Sequence, residues 1–316
     1  MNPLCIVNPN SHGGQTGRRA ERILGAIAER LGAIDVARTE RPRHAVELGD
    51  QAVRDGRELV ISVGGDGTIH EIVNGLMRAP AGSRPRPRLG IVGQGTGGDL
   101  RKTLALEHRL EAYLDAIASG RTRAIDVGHF RYVDHADQPA EAWFVNILSM
   151  GMGGLVDRHV ARLSRSLPGV LAYFAATAKA LQQSAVGQLR CTLHQAGSAR
   201  ELRVECRNLA ICNGRYFGSG MHVAPMAVPD DGLLHVVSLG GVGSRIGFAL
   251  GSLSIYSGKH VARPDVQVHE CQAIDVELEN RDARERFLLD VDGEPLGKLP
   301  VQIDLVPKAL EVLVGG

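Results

Sequence analysis

Along the first 125 residues, short apolar runs alternate with stretches whose apolar residues recur every three or four positions. Leu4-Cys5-Ile6-Val7 predicts a buried strand, and Ala20, Ile23, Leu24, Ile27 and Leu31 predict a helix after it. Ile34 to Ala37 is the next strand candidate, and Ala45, Leu48, Gly49 and Ala52 mark a second helix. Leu59 to Val63 predicts a third strand. Ile69, Ile72, Val73 and Leu76 then predict a helix that stops before Pro80. A Pro- and Arg-rich loop, Arg78 to Arg88, leads to a fourth strand, Leu89 to Val92, again followed by glycines and a helix. This order predicts an α/β fold with a doubly wound, mostly parallel sheet and helices on both faces.

After Asp126 the period changes to two. Leu189, Cys191 and Leu193 alternate with polar residues, as do Leu202, Val204 and Cys206, and Ile274, Val276 and Leu278. Val301, Ile303 and Leu305, then Leu310, Val312 and Val314, continue the pattern. Such alternation predicts half-buried antiparallel strands. Helical stretches at about 155–183 and 244–256 interrupt them. Two domains are expected: 1–125, to which residues 306–316 are candidates to return, and a β-rich 126–305.

Composition narrows the class. The 316 residues carry 36 Lys and Arg against 35 Asp and Glu, a balance that argues against a nucleic-acid binder. Gly is high, 39 residues, which implies tight turns and close backbone approaches. Five cysteines without a C-x-x-C pair argue against a disulfide framework or zinc site and for a reducing, cytoplasmic setting. The first ten residues do not read as a signal peptide, and no run approaches the ~18 apolar residues of a membrane span.

The chemistry lies on glycine-rich turns after strands. In Val63-Gly64-Gly65-Asp66-Gly67-Thr68-Ile69-His70-Glu71 a strand ends, glycines turn the chain and a helix begins. Backbone N–H groups at a helix N-terminus bind phosphate oxygens, and Gly lets a polyphosphate approach the main chain. The plainer reading is a tight turn with Asp66 as helix cap. A second turn, Gly93-Gln94-Gly95-Thr96-Gly97-Gly98-Asp99, formally fits G-x-G-x-x-G. The acidic residue expected to end a strand some 20 positions on is missing, since Asp115 lies in a helical pattern, so a dinucleotide oxidoreductase does not fit. A third loop, Asn8-Pro9-Asn10-Ser11-His12-Gly13-Gly14, lacks the G-K-[ST] of a Walker motif. Three such loops after strands of one sheet predict a polyphosphate cradle at one edge.

Two acidic clusters stand out in the second half. Asp230-Asp231-Gly232 follows Pro225 to Pro229 and reads either as a hard-cation site or as a plain turn before a strand at Leu233 to Leu239. In Asp290-Val291-Asp292-Gly293-Glu294 three carboxylates and a Gly follow an apolar strand, and the plain reading is a hairpin loop.

Gly64-Gly65-Asp66-Gly67-Thr68 with Glu71 and Asn74-Gly75 resembles the GGDGT signature of the diacylglycerol/sphingosine/ceramide lipid kinases, and more distantly NAD kinases and phosphofructokinases. Asn8-Pro9 and its loop resemble the family's NPxSGxG, and Gly95-Thr96-x-x-Asp99 resembles its GTxND. Asn213-Gly214 to Pro225 with Asp231-Gly232, and then Asp292-Gly293-Glu294, resemble the NG…P…DG and DGE blocks. The resemblance implies an ATP-binding α/β domain, a β-sandwich-like second domain, and an active site in the cleft between them. It implies ATP contacts at Asn8, Thr39, Gly64, Gly65, Asp66, Gly67, Thr68, Ile69, His70, Glu71, Gly95 and Thr96. It assigns Glu294 as proton acceptor; on chemical grounds Asp66 is the competing candidate for that role, and Asp99 is a candidate for neutralising phosphate charge. Asp231 with the carbonyls of Val228 and Leu233 would hold Mg²⁺. Three departures touch the nucleotide loops: Gly98 replaces the usual Asn, the first loop reads Ser11-His12-Gly13-Gly14, and His70 stands where many bacterial members have Asn.

The expected activity is phosphoryl transfer from ATP to a lipid hydroxyl. A soluble-substrate kinase of NAD-kinase type and a non-catalytic nucleotide or lipid sensor are the alternatives. A lipid met at a membrane surface directs attention to Arg158, Arg162 and Arg165 beside Leu155 and Leu163, which read either as an interfacial helix or as a solvated basic face. The stripe Val170, Leu171, Phe174, Ala178 and Leu181 reads equally as acyl cleft or core, and Arg84, Arg86 and Arg88 as a solvated loop with a candidate role toward anionic lipid. A homodimer is the commonest oligomer and the expectation here.

Overall fold

The computed structural model describes residues 3–79, 85–95, 97–163, 179–218, 220–240 and 253–315. The chain forms two units. Unit 1 contains Met1–Val127, Trp143–Val145 and Pro307–Gly316, and unit 2 contains Gly128–Ala142 and Asn146–Val306.

In unit 1 the chain runs β1 (Pro3–Val7), α1 (Gln15–Leu31), β2 (Asp35–Arg38), α2 (His44–Arg54), β3 (Leu59–Gly64), α3 (Asp66–Met77), β4 (Arg88–Gly93), α4 (Asp99–Thr103) and α5 (Leu110–Ser119). The strands pair in parallel in the order β4-β3-β1-β2. β3 is buried at every position, so its sequence is a continuous apolar run. Helix α1 packs on α5 and α2 on α3. The α2–α3 crossing is close because both helices present glycine. A Cβ on Gly49 would lie 2.7 Å from the Ile72 carbonyl oxygen, and one on Gly75 would overlap that of Val46. The strand order reverses at β1, with β2 on one side and β3 on the other. Open α/β sheets bind ligands outside the carboxyl ends of strands at such a switch.

The second half continues with β5 (Thr122–Asp134), β6 (Pro139–Phe144), β7 (Ile147–Gly151), α6 (Met152–Leu163), β8 (Gly187–Gln195), β9 (Ser198–Cys206), β10 (Asn208–Cys212), β11 (Leu234–Leu239), β12 (Gln267–Cys271), β13 (Ala273–Leu278), β14 (Leu288–Val291) and β15 (Glu294–Leu313). One series runs β12-β11-β10-β7-β14-β15 and another β9-β8-β13-β15, antiparallel throughout. The period-two segments form β8, β9, β13 and the first part of β15. β7, β10 and β11 are buried at every position and carry no alternation; of the three, β11 matches the strand expected at Leu233 to Leu239.

Residues 310–314 depart from the expected antiparallel strand. They continue β15 and its end, and Val312 pairs in parallel with Leu89 of β4 inside unit 1. Alternation reports which side chains are covered, not the direction of the neighbouring strand. The Lys308 N–H donates to Asp126 Oδ1 at 2.7 Å where β15 enters this unit.

The expected helix at 155–183 is observed as α6 and again at 179–183. Arg165, Val170, Leu171, Phe174 and Ala178 lie outside the described residues, as do Arg84 and the side chains of Arg158, Arg162 and Leu163. Of the stretch 244–256, residues 244–252 also lie outside. Leu253–Ile255 forms one 3₁₀ turn, followed by another at Lys259–Ala262. All five cysteines are free and buried. Among the described residues no helix is long and apolar enough to cross a membrane.

Candidate active site

At the carboxyl ends of β1, β3 and β4 the three glycine-rich turns are joined by named bonds. The Asn8 N–H donates to the Val63 carbonyl at 3.0 Å, and Asn8 Nδ2 donates to Thr68 Oγ1 at 3.0 Å. Thr68 is buried against Gly64, where any Cβ would overlap its hydroxyl. The Gln94 N–H donates to the Gly64 carbonyl at 2.7 Å. Gly65 and Gly95 touch backbone to backbone, since a Cβ on Gly95 would stand 2.9 Å from Gly65 Cα. Asp66 opens α3, and its carboxylate accepts the N–H groups of Gly98 (2.7 Å) and Asp99 (3.1 Å). Burial raises the Asp66 carboxyl above its usual range and the Asp99 charge adds to this, while the amide bonds pull the other way. Asp99 is buried, with Lys102 Nζ 3.3 Å from Oδ1. Thr39 follows β2, also buried, and its N–H donates to the Val7 carbonyl at 2.9 Å.

The first loop reaches α1 through His12, Gly13 and Gly14, all with positive φ (53°, 60° and 81°). The expected nucleotide contacts therefore divide. Asn8, Thr68, Gly64, Gly65, Asp66 and Gly95 are brought together, with Gly67 in the first turn of α3, and Asp99, expected to neutralise phosphate charge, joins them through its bond to Asp66. Ile69 and His70 turn their side chains inward, at 3% and 6% exposure, and His70 Nε2 lies 3.3 Å from Asn74 Nδ2. Glu71 is committed elsewhere: its carboxylate accepts the N–H groups of Arg43 (2.9 Å) and Ala45 (3.1 Å) and so caps α2. Thr96 lies outside the described residues.

In unit 2 the Asp292-Gly293 turn between β14 and β15 has positive φ at both residues (53° and 89°), the geometry of a tight type I′ hairpin. Asp290 Oδ1 accepts the Gly293 N–H at 3.0 Å, and Ser149 Oγ lies 3.4 Å from Asp290 Oδ2. Asp292 Oδ1 accepts the N–H groups of Asn146 (3.1 Å) and Ile147 (3.0 Å), while its own N–H donates to the Ile147 carbonyl at 2.9 Å. Glu294 follows as the first residue of β15, half-buried. Asn146 joins this hairpin to the Asn213-Gly214 block. Its carbonyl accepts both N–H groups of that pair, and its Nδ2 donates to the Tyr216 carbonyl. Sequence reading passed over Asn146. The signal was there: one amide inside the apolar run Phe144-Val145-Asn146-Ile147-Leu148.

Val228, Asp231 and Leu233 meet in one turn. The Asp231 N–H lies 3.4 Å from the Val228 carbonyl, and the Leu233 N–H donates to Asp231 Oδ1 at 2.9 Å. Asp231 Oδ2 lies 4.0 Å from Nε2 of His235, a buried ring whose nitrogens have no hydrogen-bond partner among the described residues. The donor types expected here, one carboxylate and two carbonyls, are all oxygen, which is the chemistry a hard cation takes. Among the described residues no group of three or more His, Cys, Asp or Glu side chains converges on a metal position.

The family model "Diacylglycerol kinase catalytic domain" matches residues 2–130, and "YegS C-terminal NAD kinase beta sandwich-like domain" matches residues 146–314. A protein named "Probable lipid kinase YegS-like" from Xanthomonas axonopodis pv. citri is 27% identical over 93% of this chain and 90% of its own. A Staphylococcus aureus protein named "Diacylglycerol kinase" is 24% identical over 97% and 90%. A solved structure of a diacylglycerol kinase from Bacillus anthracis shares the fold, with TM-score 0.69 at 19% identity, covering 99% of this chain and 97% of that one. The chain belongs to the lipid kinase family that joins a diacylglycerol kinase catalytic domain to a YegS-type C-terminal β-sandwich-like domain.

Proposed function

We propose that this lipid kinase transfers the γ-phosphate of ATP to a hydroxyl of a lipid of the diacylglycerol, ceramide or sphingosine class. The observation that carries this reading is the set of three glycine-rich turns joined at the switch point of the parallel sheet. Backbone N–H groups at the start of α3 receive phosphate oxygens, and the touching Gly65 and Gly95 leave the main chain bare beside them. Asp66 acts there as a positioning residue, because its carboxylate already holds two amides. Asp99, with Lys102 beside it, completes the polar edge. Val228, Asp231 and Leu233 would hold Mg²⁺, which when bound neutralises phosphate charge.

Glu294 is the proton acceptor. Its carboxylate takes the proton of the lipid hydroxyl as the lipid oxygen forms its bond to the γ-phosphorus. The bond from that phosphorus to the bridging oxygen breaks, and ADP leaves with the electron pair. The type I′ turn just before Glu294, held by Asp290 and Asp292, supports this assignment.

Purified protein with labelled ATP, Mg²⁺ and micelles of each lipid tests this. Label should enter one organic-phase product. Glu294→Ala should lower turnover by ~10²-fold or more with nucleotide affinity retained. Near-normal turnover in that variant would overturn the role of Glu294. Label only in a lipid-free reaction with NAD would overturn the lipid substrate.

A further inference from the structure

We propose that unit 2 docks on a bilayer surface through the turn 253–260 and the adjoining residues 215–218 and 220–226, with Tyr256 and Lys259 as its contact residues. The choice of a lipid surface as occupant rests on the lipid-kinase reading above. Among the described residues the exposed large apolar side chains are Val36, Tyr256 and Val306, and Tyr256 is the most exposed, at 52%. Val36 and Val306 stand in strands. Tyr256 stands on a turn with the exposed Ser257 and Lys259 on either side of Gly258.

Bonds hold this turn firmly. The His222 N–H donates to the Ile255 carbonyl at 3.1 Å, and the Gly258 N–H to the same oxygen at 3.0 Å. His260 Nε2 donates to the Val223 carbonyl at 2.9 Å. Gly258, at φ 71°, sits against the His222 ring and Pro225, where a side chain would not fit. Tyr256 is thus presented outward by a turn whose backbone is already ordered, so docking adds little backbone entropy cost.

Phe217, Met221 and Met226 of the adjoining loop are half-buried and pack on the same small core as Ile255. An amphipathic ring, flexible apolar side chains and a neighbouring ammonium are the composition that suits the headgroup region. The face also shares a frame with the reacting hairpin. Asn146, which holds the Tyr216 carbonyl at the start of this loop, also donates its N–H to Asp292, two residues before Glu294. A lipid whose hydroxyl reacts at Glu294 has its acyl chains in a bilayer, and this face is tied to that hairpin.

The test is flotation of the full chain, without nucleotide, on phosphatidylcholine vesicles with and without phosphatidylglycerol. Wild type should float better on the anionic vesicles. Lys259→Ala should weaken that partition about fivefold, and Tyr256→Ser should weaken partition on both vesicle types. Unchanged melting temperatures establish that both variants fold. Flotation indifferent to both substitutions would overturn the proposal. So would sedimentation showing that Tyr256→Ser splits a dimer while flotation stays unchanged, because the face would then join two copies. Turnover separates the two readings. Tyr256-dependent flotation with no lipid phosphorylated would sink the substrate assignment and support the docking face. Lipid turnover with flotation indifferent to both residues would do the reverse.

Discussion

His12 occupies left-handed backbone, φ 53°, in a row with Gly13 and Gly14. An L side chain there costs roughly 1–2 kcal/mol, which glycine does not incur. The displaced glycine of this loop therefore has a structural price. His12→Gly should stabilise the protein by about 1 kcal/mol, read as a higher urea midpoint with unchanged slope. A lower midpoint would mean that the imidazole contributes more than its backbone strain removes. Asp66 shows the opposite economy of design. Burial raises its carboxyl, so its ionisation opposes folding as pH rises through the folded value, and the amides of Gly98 and Asp99 offset this. A group so held is suited to fixing two turns rather than to exchanging protons with substrate.

Helix α3 is keyed along its whole length. Its first residue bonds the β4–α4 turn, Glu71 caps α2, Gly75 admits the α2 backbone, and Asn74 pairs with both the N–H and the carbonyl of Trp143 at 2.9 Å. Gly75→Ala should force α3 away from Val46. A loss of about 1–3 kcal/mol is expected, with weaker nucleotide binding because the same helix opens at the glycine turn. Calorimetry and nucleotide titration of that variant check both, and an unchanged melting temperature would contradict the close crossing. The parallel half was legible because alternating runs and helical periods are local, and so was the glycine signature. The duties of Glu71 and Asn74 were not, since their partners lie 26–28 and 69 residues away in sequence. β7 and β10, buried on both faces, carry no alternation to mark them, whereas β11 shows as the apolar run after the Asp231-Gly232 turn. The acidic turn before Glu294 was visible as letters, but its clamp required Asn146, 146 positions earlier than Asp292.

At the scale of the molecule, four histidines of unit 2, His222, His235, His260 and His269, are held below their ordinary value, chiefly by burial. Asp231 and Glu270 pull His235 back upward, while the charges of His222 and Arg263 push His260 further down. Their folded values lie below the unfolded ~6.5, so their contribution is present above that pH and is lost as pH falls through the folded values. Each fully buried ring steepens this loss by about 1.4 kcal/mol per pH unit within its window. The urea midpoint should fall between pH 7.5 and 5.5, and less so in His260→Gln, whose amide can still donate to Val223. Equal falls in the two proteins would count against His260 as a source. The course of β15 bears on biosynthesis. Leu310, Val312 and Leu313 belong to the core of unit 1, yet they are translated after all of unit 2. At ~5–20 residues per second the ribosome needs about 10–40 s to pass from residue 127 to residue 307. During that interval the outer edge of β4 awaits its parallel partner, and the half of the molecule made first is completed last.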